Sequence, residues 1–135
     1  MGRPDLAYIK FTRLLHEGQP LPPYNRDNHS RDMTYIDDIV AGVLAATESI
    51  SGGHGVYNLG NHATVKLREL VRLLESLTGR QALTEELPMQ PGDMLETYAD
   101  SSAANRDLGY APATSLSEGL ANFVHWYREY YEVAD

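Results

Sequence analysis

Three short clusters in this sequence carry residue types able to do chemistry. The first is Arg3 beside Pro4. The second is Arg31-Asp32, followed by Thr34, Tyr35, Asp37 and Asp38. The third is Gln90-Pro91-Gly92-Asp93. The planar guanidinium fork of arginine pairs with phosphate or carboxylate through two parallel hydrogen bonds. A Pro-Gly-Asp loop presents a carboxylate to a ligand that carries hydroxyls. Together these point to a small anionic, hydroxylated ligand. Each cluster also has a plainer use. An arginine before a helix serves as an ion-pair or surface residue. Asp37 and Asp38 complement the positive end of a helix dipole. Asp93 caps a loop.

Several chemistries are excluded by what the sequence lacks. There is no cysteine, so no disulfide, thiol nucleophile or cysteine-ligated metal. The five histidines (16, 29, 54, 62 and 125) form no H-x-x-x-H pair, and no metal site is expected. No G-x-G-x-x-G loop and no Tyr-x-x-x-Lys occurs. Gly52-Gly53-His54-Gly55 falls between a helix and an extended segment, the wrong order for a nucleotide loop. No catalytic or cofactor-binding residue is therefore assigned.

Charge and length narrow the class further. Eleven Lys plus Arg against nineteen Asp plus Glu leave a net charge of -8, and only Lys10 and Lys66 are lysines. Nucleic acid and anionic membrane surfaces both call for a basic face, so neither is an expected partner. A length of 135 residues is enough for a hydrophobic core and suits a single domain over 1–135. No apolar run approaches a membrane span and Met1 opens no signal-peptide pattern, so a cytoplasmic protein is expected.

The elements that would position these clusters alternate between helices and short extended segments. Gly2 to Asp5 opens a helix carried by Ala7, Phe11, Leu14 and Leu15 and stopped at Gly18. The prolines at 20, 22 and 23 keep the next segment out of a central strand. Arg31 to Tyr35 reads as a strand. A helix follows with Ile36, Ile39, Val40, Val43 and Leu44 on its apolar face. Val56 to Leu59 reads as a second strand, closed by Gly60. Leu67, Leu70, Val71, Leu74 and Leu77 mark an amphipathic helix ending at Gly79. Ala82 to Leu87 is a candidate strand, and a short helix runs from about Ser101 to Leu108. Ser115-Leu116-Ser117-Glu118 is a capping box for a last helix, with Leu116, Leu120, Phe123, Val124, Tyr127 and Tyr131 on one face. The fold class is α/β.

Six motifs in order also carry a family resemblance. They are Gly2-Arg3-Pro4-Asp5-Leu6-Ala7-Tyr8, Arg31 to Val40, Val56 to Gly60, Leu87 to Asp93, Tyr98 to Ser102, and Leu108 to Pro112. Together they resemble the C-terminal part of extended short-chain dehydrogenase/reductase epimerases and dehydratases. The Gly-Arg-Pro-Asp opening and the Leu-Pro-Met-Gln-Pro-Gly-Asp loop are most similar to the UDP-glucuronate 4-epimerase type.

The resemblance implies an α+β-like small lobe that binds a UDP-sugar, with the NAD-binding Rossmann half absent. In the parent reaction UDP-glucuronate becomes UDP-galacturonate through a 4-keto intermediate, using NAD and a Tyr base helped by Lys. None of that machinery is in these residues, so the chain is expected to be a fragment, inert alone. By motif, Arg31 would contact the diphosphate, Asp93 the ribose, Tyr24 the uracil and Arg3 the sugar carboxylate. Lys10 would assist with the anion. Gln90 stands where many related galactose epimerases carry an arginine. A UDP-glucose 4-epimerase or dTDP-sugar dehydratase parent is an alternative. Another is a self-associating interaction module that exposes the surface a Rossmann half would cover. The isolated chain is expected to bind a UDP-sugar weakly or not at all.

Overall fold

A computed structural model describes residues 6–22, 30–49, 53–84 and 96–133. The elements in chain order are α1 (Ala7–Glu17), β1 (Ser30–Asp32), α2 (Ile36–Glu48), β2 (Thr64–Lys66), α3 (Leu67–Thr78), α4 (Ser102–Leu108) and α5 (Leu116–Tyr131). The mixed helix–strand character expected from the sequence is present. Three helices end where a glycine follows. Gly18, Gly79 and Gly109 take φ of 63°, 68° and 67°, a left-handed conformation that costs glycine little.

Two compact units make up the chain. The first comprises Met1–His29, Lys66–Leu95 and Leu120–Asp135. Its core comes from α1, α3 and the part of α5 after Gly119. Phe11 and Leu15 on α1 pack with Leu70, Val71 and Leu74 on α3, and with Leu120, Val124 and Tyr127 on α5; all are at most 5% exposed. Burying each of these leucines contributes about 2 kcal/mol. Tyr8 meets Phe123 edge to face at 5.0 Å. Arg128 donates from Nη2 to the Leu77 carbonyl at 3.2 Å, placing a cation at the negative end of α3. Leu21, between prolines, donates its N–H to the Leu83 carbonyl and forms a parallel bridge with Thr84.

This core also holds polar groups. His16 lies 5.5 Å from the Tyr127 ring. Both of its ring nitrogens are buried with no hydrogen-bond partner among the described residues. Burial, then the charges of Arg80 and Arg128, push its pKa below the ordinary histidine value. Beyond this core the aromatic end of α5 is open to solvent. Trp126, Tyr130 and Tyr131 are 43%, 55% and 46% exposed. Tyr131 was expected on the packed face, but its ring meets Trp126, Tyr127 and Tyr130 of its own helix.

The second unit comprises Ser30–Val65 and Glu96–Gly119. β1 pairs with β2 on one edge. On its other edge Thr97 donates to the Ser30 carbonyl at 3.1 Å and accepts the Asp32 N–H at 3.0 Å. The expected strand over Arg31–Tyr35 is thus shorter and earlier, because only Ser30–Asp32 has partners on either side. Val56–Leu59 is not a strand. Among the described residues it joins no ladder, and the pairing with β1 falls to Thr64–Lys66. Of the candidate strand over 82–87, Thr84 forms the isolated bridge already given and 85–87 lie outside the described residues.

α2 packs on α4, and Gly42 on α2 meets Tyr110 and Leu59. A Cβ there would lie 2.8 Å from Tyr110 Cδ2 and 2.9 Å from the Leu59 methyls, so only glycine allows the approach. The buried Tyr110 hydroxyl donates to the Gly60 carbonyl at 3.0 Å. The apolar stripe of α2 faces the other way. Ile36, Val40, Val43 and Leu44 are 62%, 46%, 49% and 56% exposed.

Candidate functional site

Of the four ligand-contacting residues expected from the sequence, Arg31 is described. Arg3, Tyr24 and Asp93 lie outside the described residues, as does Gln90. Lys10 sits half-buried on α1, in the unit that does not contain Arg31.

Arg31 occupies the middle of β1, with paired backbone on both sides. Its Nη1 donates to the Ser30 carbonyl at 2.9 Å. Among the described residues it forms no ion pair. The residue is half-buried, and a guanidinium carries five N–H donors.

The neighbouring Asp32 is occupied very differently. Its Oδ1 accepts the Asn61 N–H at 2.9 Å and the Thr34 hydroxyl at 3.2 Å. Its Oδ2 accepts the Ala99 N–H at 3.2 Å. One carboxylate therefore ties β1 to two segments distant in sequence. Gly60 makes this possible. A Cβ there would fall 2.4 Å from the Ala99 Cβ and 3.0 Å from Asp32 Oδ2. The sequence had singled out the Arg31-Asp32 pair and, within motifs, Gly60 and Ala99, but neither Asn61 nor the link among them. That link is visible only once three separate segments converge.

Around this hub stand two further polar groups. His62 has φ of 53°, uncommon for a residue with a side chain. Its Nε2 lies 2.8 Å from the Tyr98 hydroxyl, and both residues are exposed. Asp100 accepts the Ser102 hydroxyl at 2.5 Å and the Ser102 N–H at 3.0 Å. Those two bonds hold its pKa below the ordinary aspartate value.

Asp37 and Asp38 lie in the first turn of α2, as the helix-dipole reading expected. Asp38 does more. It accepts the backbone N–H groups of Ala113 and Thr114 at 3.1 Å each. Burial raises its pKa, but these bonds together with the Thr114 hydroxyl outweigh it, and the net shift is downward.

Among the described residues no strand-to-helix turn has the glycine-rich form of a pyrophosphate loop. A pyrophosphate needs a glycine-rich turn from a strand into a helix N-terminus. The turn from β1 to α2 is Met33-Thr34-Tyr35, and β2 runs directly into α3. Neither has a glycine. Among the described residues no cluster could hold a metal ion, and no helix is long and apolar enough to cross a membrane.

Comparison with protein-family profiles found no match. Individual proteins do match. UDP-glucuronate 4-epimerase 4 of Arabidopsis thaliana is 42% identical over 146 aligned positions, spanning 96% of this chain and 33% of that protein. Protein CapI of Staphylococcus aureus is 36% identical, spanning 97% of this chain and 44% of CapI. Among solved structures, UDP-glucuronic acid 4-epimerase from Bacillus cereus, in complex with UDP-glucuronic acid and NAD, superposes with a TM-score of 0.86 at 33% identity. The match covers 96% of this chain and 41% of that one. The chain thus spans well under half the length of these relatives. It is a homologue of the C-terminal part of UDP-glucuronate 4-epimerases, in the extended short-chain dehydrogenase/reductase family.

Proposed function

We propose that residues 1–135 form one lobe, the UDP-sugar-binding C-terminal portion of a UDP-glucuronate 4-epimerase-like enzyme of the cytoplasm. The parent reaction would convert UDP-glucuronate to UDP-galacturonate with NAD. The observation that carries this reading is Arg31. It sits on a strand fixed along both edges, with guanidinium donors not taken up by a carboxylate among the described residues, in a chain whose relatives include a structure bound to UDP-glucuronic acid. In this reading Arg31 pairs with the diphosphate, Asp93 with the ribose, Tyr24 with the uracil and Arg3 with the sugar carboxylate.

These residues by themselves supply ligand recognition and no turnover, since they include neither the Tyr-x-x-x-Lys nor the glycine loop. The exposed stripe of Ile36, Val40, Val43 and Leu44 supports a second part of the reading. It is apolar surface for a Rossmann half to cover, and when uncovered it drives self-association. UDP titration followed by amide NMR tests the ligand assignment, and analysis of UDP-glucuronate incubated with the chain tests inertness.

A further inference from the structure

We propose that Asp32 is a positioning residue for Arg31, holding β1 from behind so that the guanidinium is presented to an anionic ligand in front. This rests on the reading of Arg31 as the diphosphate contact. Consecutive strand residues point to opposite faces. Arg31 and Asp32 therefore diverge, and no ion pair forms between them although they are adjacent. The Asp32 carboxylate instead spends its oxygens on the Asn61 N–H, the Ala99 N–H and the Thr34 hydroxyl. Two of these donors are backbone groups 29 and 67 residues away. Thr97, two residues before Ala99, forms the edge pairing that flanks Arg31. The carboxylate thus locks together the segments that fix the strand beneath Arg31. Gly60 leaves the space this closure requires.

The sign of the charge argues for positioning. A carboxylate beside a diphosphate subsite repels the ligand, so on charge alone its neutralisation would tighten binding. A clamp predicts the reverse. Asp32→Asn keeps the shape but turns an N–H2 group toward one of the backbone N–H donors.

The test uses the full chain with UDP as the probe. In Asp32→Asn, exchange of the Asn61 and Ala99 amides should speed up by about tenfold. The Arg31 Nε–H should lose order in its heteronuclear NOE, while the Leu70 and Leu74 amides stay protected. UDP affinity should fall by about tenfold, the loss expected for hydrogen bonds to a charged acceptor. Gly60→Ala, which keeps the carboxylate but crowds Ala99, should act in the same direction and serves if Asp32→Asn does not fold. An unchanged Arg31 Nε–H order in both variants, or tighter UDP binding in Asp32→Asn, overturns the proposal. If the unsubstituted chain does not bind UDP, the diphosphate reading falls, and the Arg31 order measurement decides the positioning role by itself.

Discussion

Asp38 and Thr114 are joined by a hydrogen bond of 3.1 Å from the Thr114 N–H to the carboxylate, across 76 residues of sequence. Its companion from Ala113 is the same length. The first turn of α2 thereby anchors the chain just before α5. Asp38→Ala leaves two backbone donors without their acceptor and should cost about 1–2 kcal/mol in urea unfolding. The acid response follows from the lowered pKa. The unfolded chain binds the proton first, so the stabilisation is present above the ordinary aspartate pKa and is lost as pH falls through the folded value. Asp38→Asn should lessen the loss of stability below about pH 4.

His16 should govern stability at milder pH. Its folded pKa lies below the unfolded value. Below about pH 6.5 the unfolded chain gains a proton that the folded chain resists. Stability should be full above that pH, fall as pH drops toward the folded pKa, and then level off. His16→Phe removes the titration. Unfolding midpoints from pH 8 to pH 5 should converge for this variant, and a slope equal to that of the unsubstituted chain would rule out His16 as the source.

The two kinds of apolar surface should respond oppositely to substitution. Leu74 is fully buried on α3, and Leu74→Ala should cost about 2–5 kcal/mol. Val43 is 49% exposed on α2, and Val43→Ala should change stability by less than about 0.5 kcal/mol. The paired change Val40→Glu with Leu44→Glu should leave the fold intact and shift sedimentation toward monomer. A monomer in the unsubstituted chain over a wide concentration range would contradict self-association through this stripe.

Helices were the part of the fold most readable in the sequence, and the reason is local. Gly18, Gly79 and Gly109 adopt the left-handed terminating conformation, and the 3.6-residue spacing of Leu70, Val71 and Leu74 reports the buried face of α3 directly. Strands depend on distant partners. Val56–Leu59 has the composition of a strand but pairs with no strand among the described residues, whereas Thr64–Lys66 is short and polar yet pairs with β1. The periodicity of α2 identified an apolar face without saying what covers it. At the site, Arg31 and Asp32 stood out by type. That the Asp32 carboxylate holds Asn61 and Ala99 became visible only in three dimensions.

The most direct test of the central claim is titration of the 135-residue chain with UDP, read by amide and arginine side-chain NMR. Saturable shifts at Arg31, Thr97 and Ala99, abolished in Arg31→Ala, are the predicted result. No shift at these residues up to millimolar UDP, or shifts that persist unchanged in Arg31→Ala, would contradict the assignment of this lobe as a UDP-sugar-binding unit.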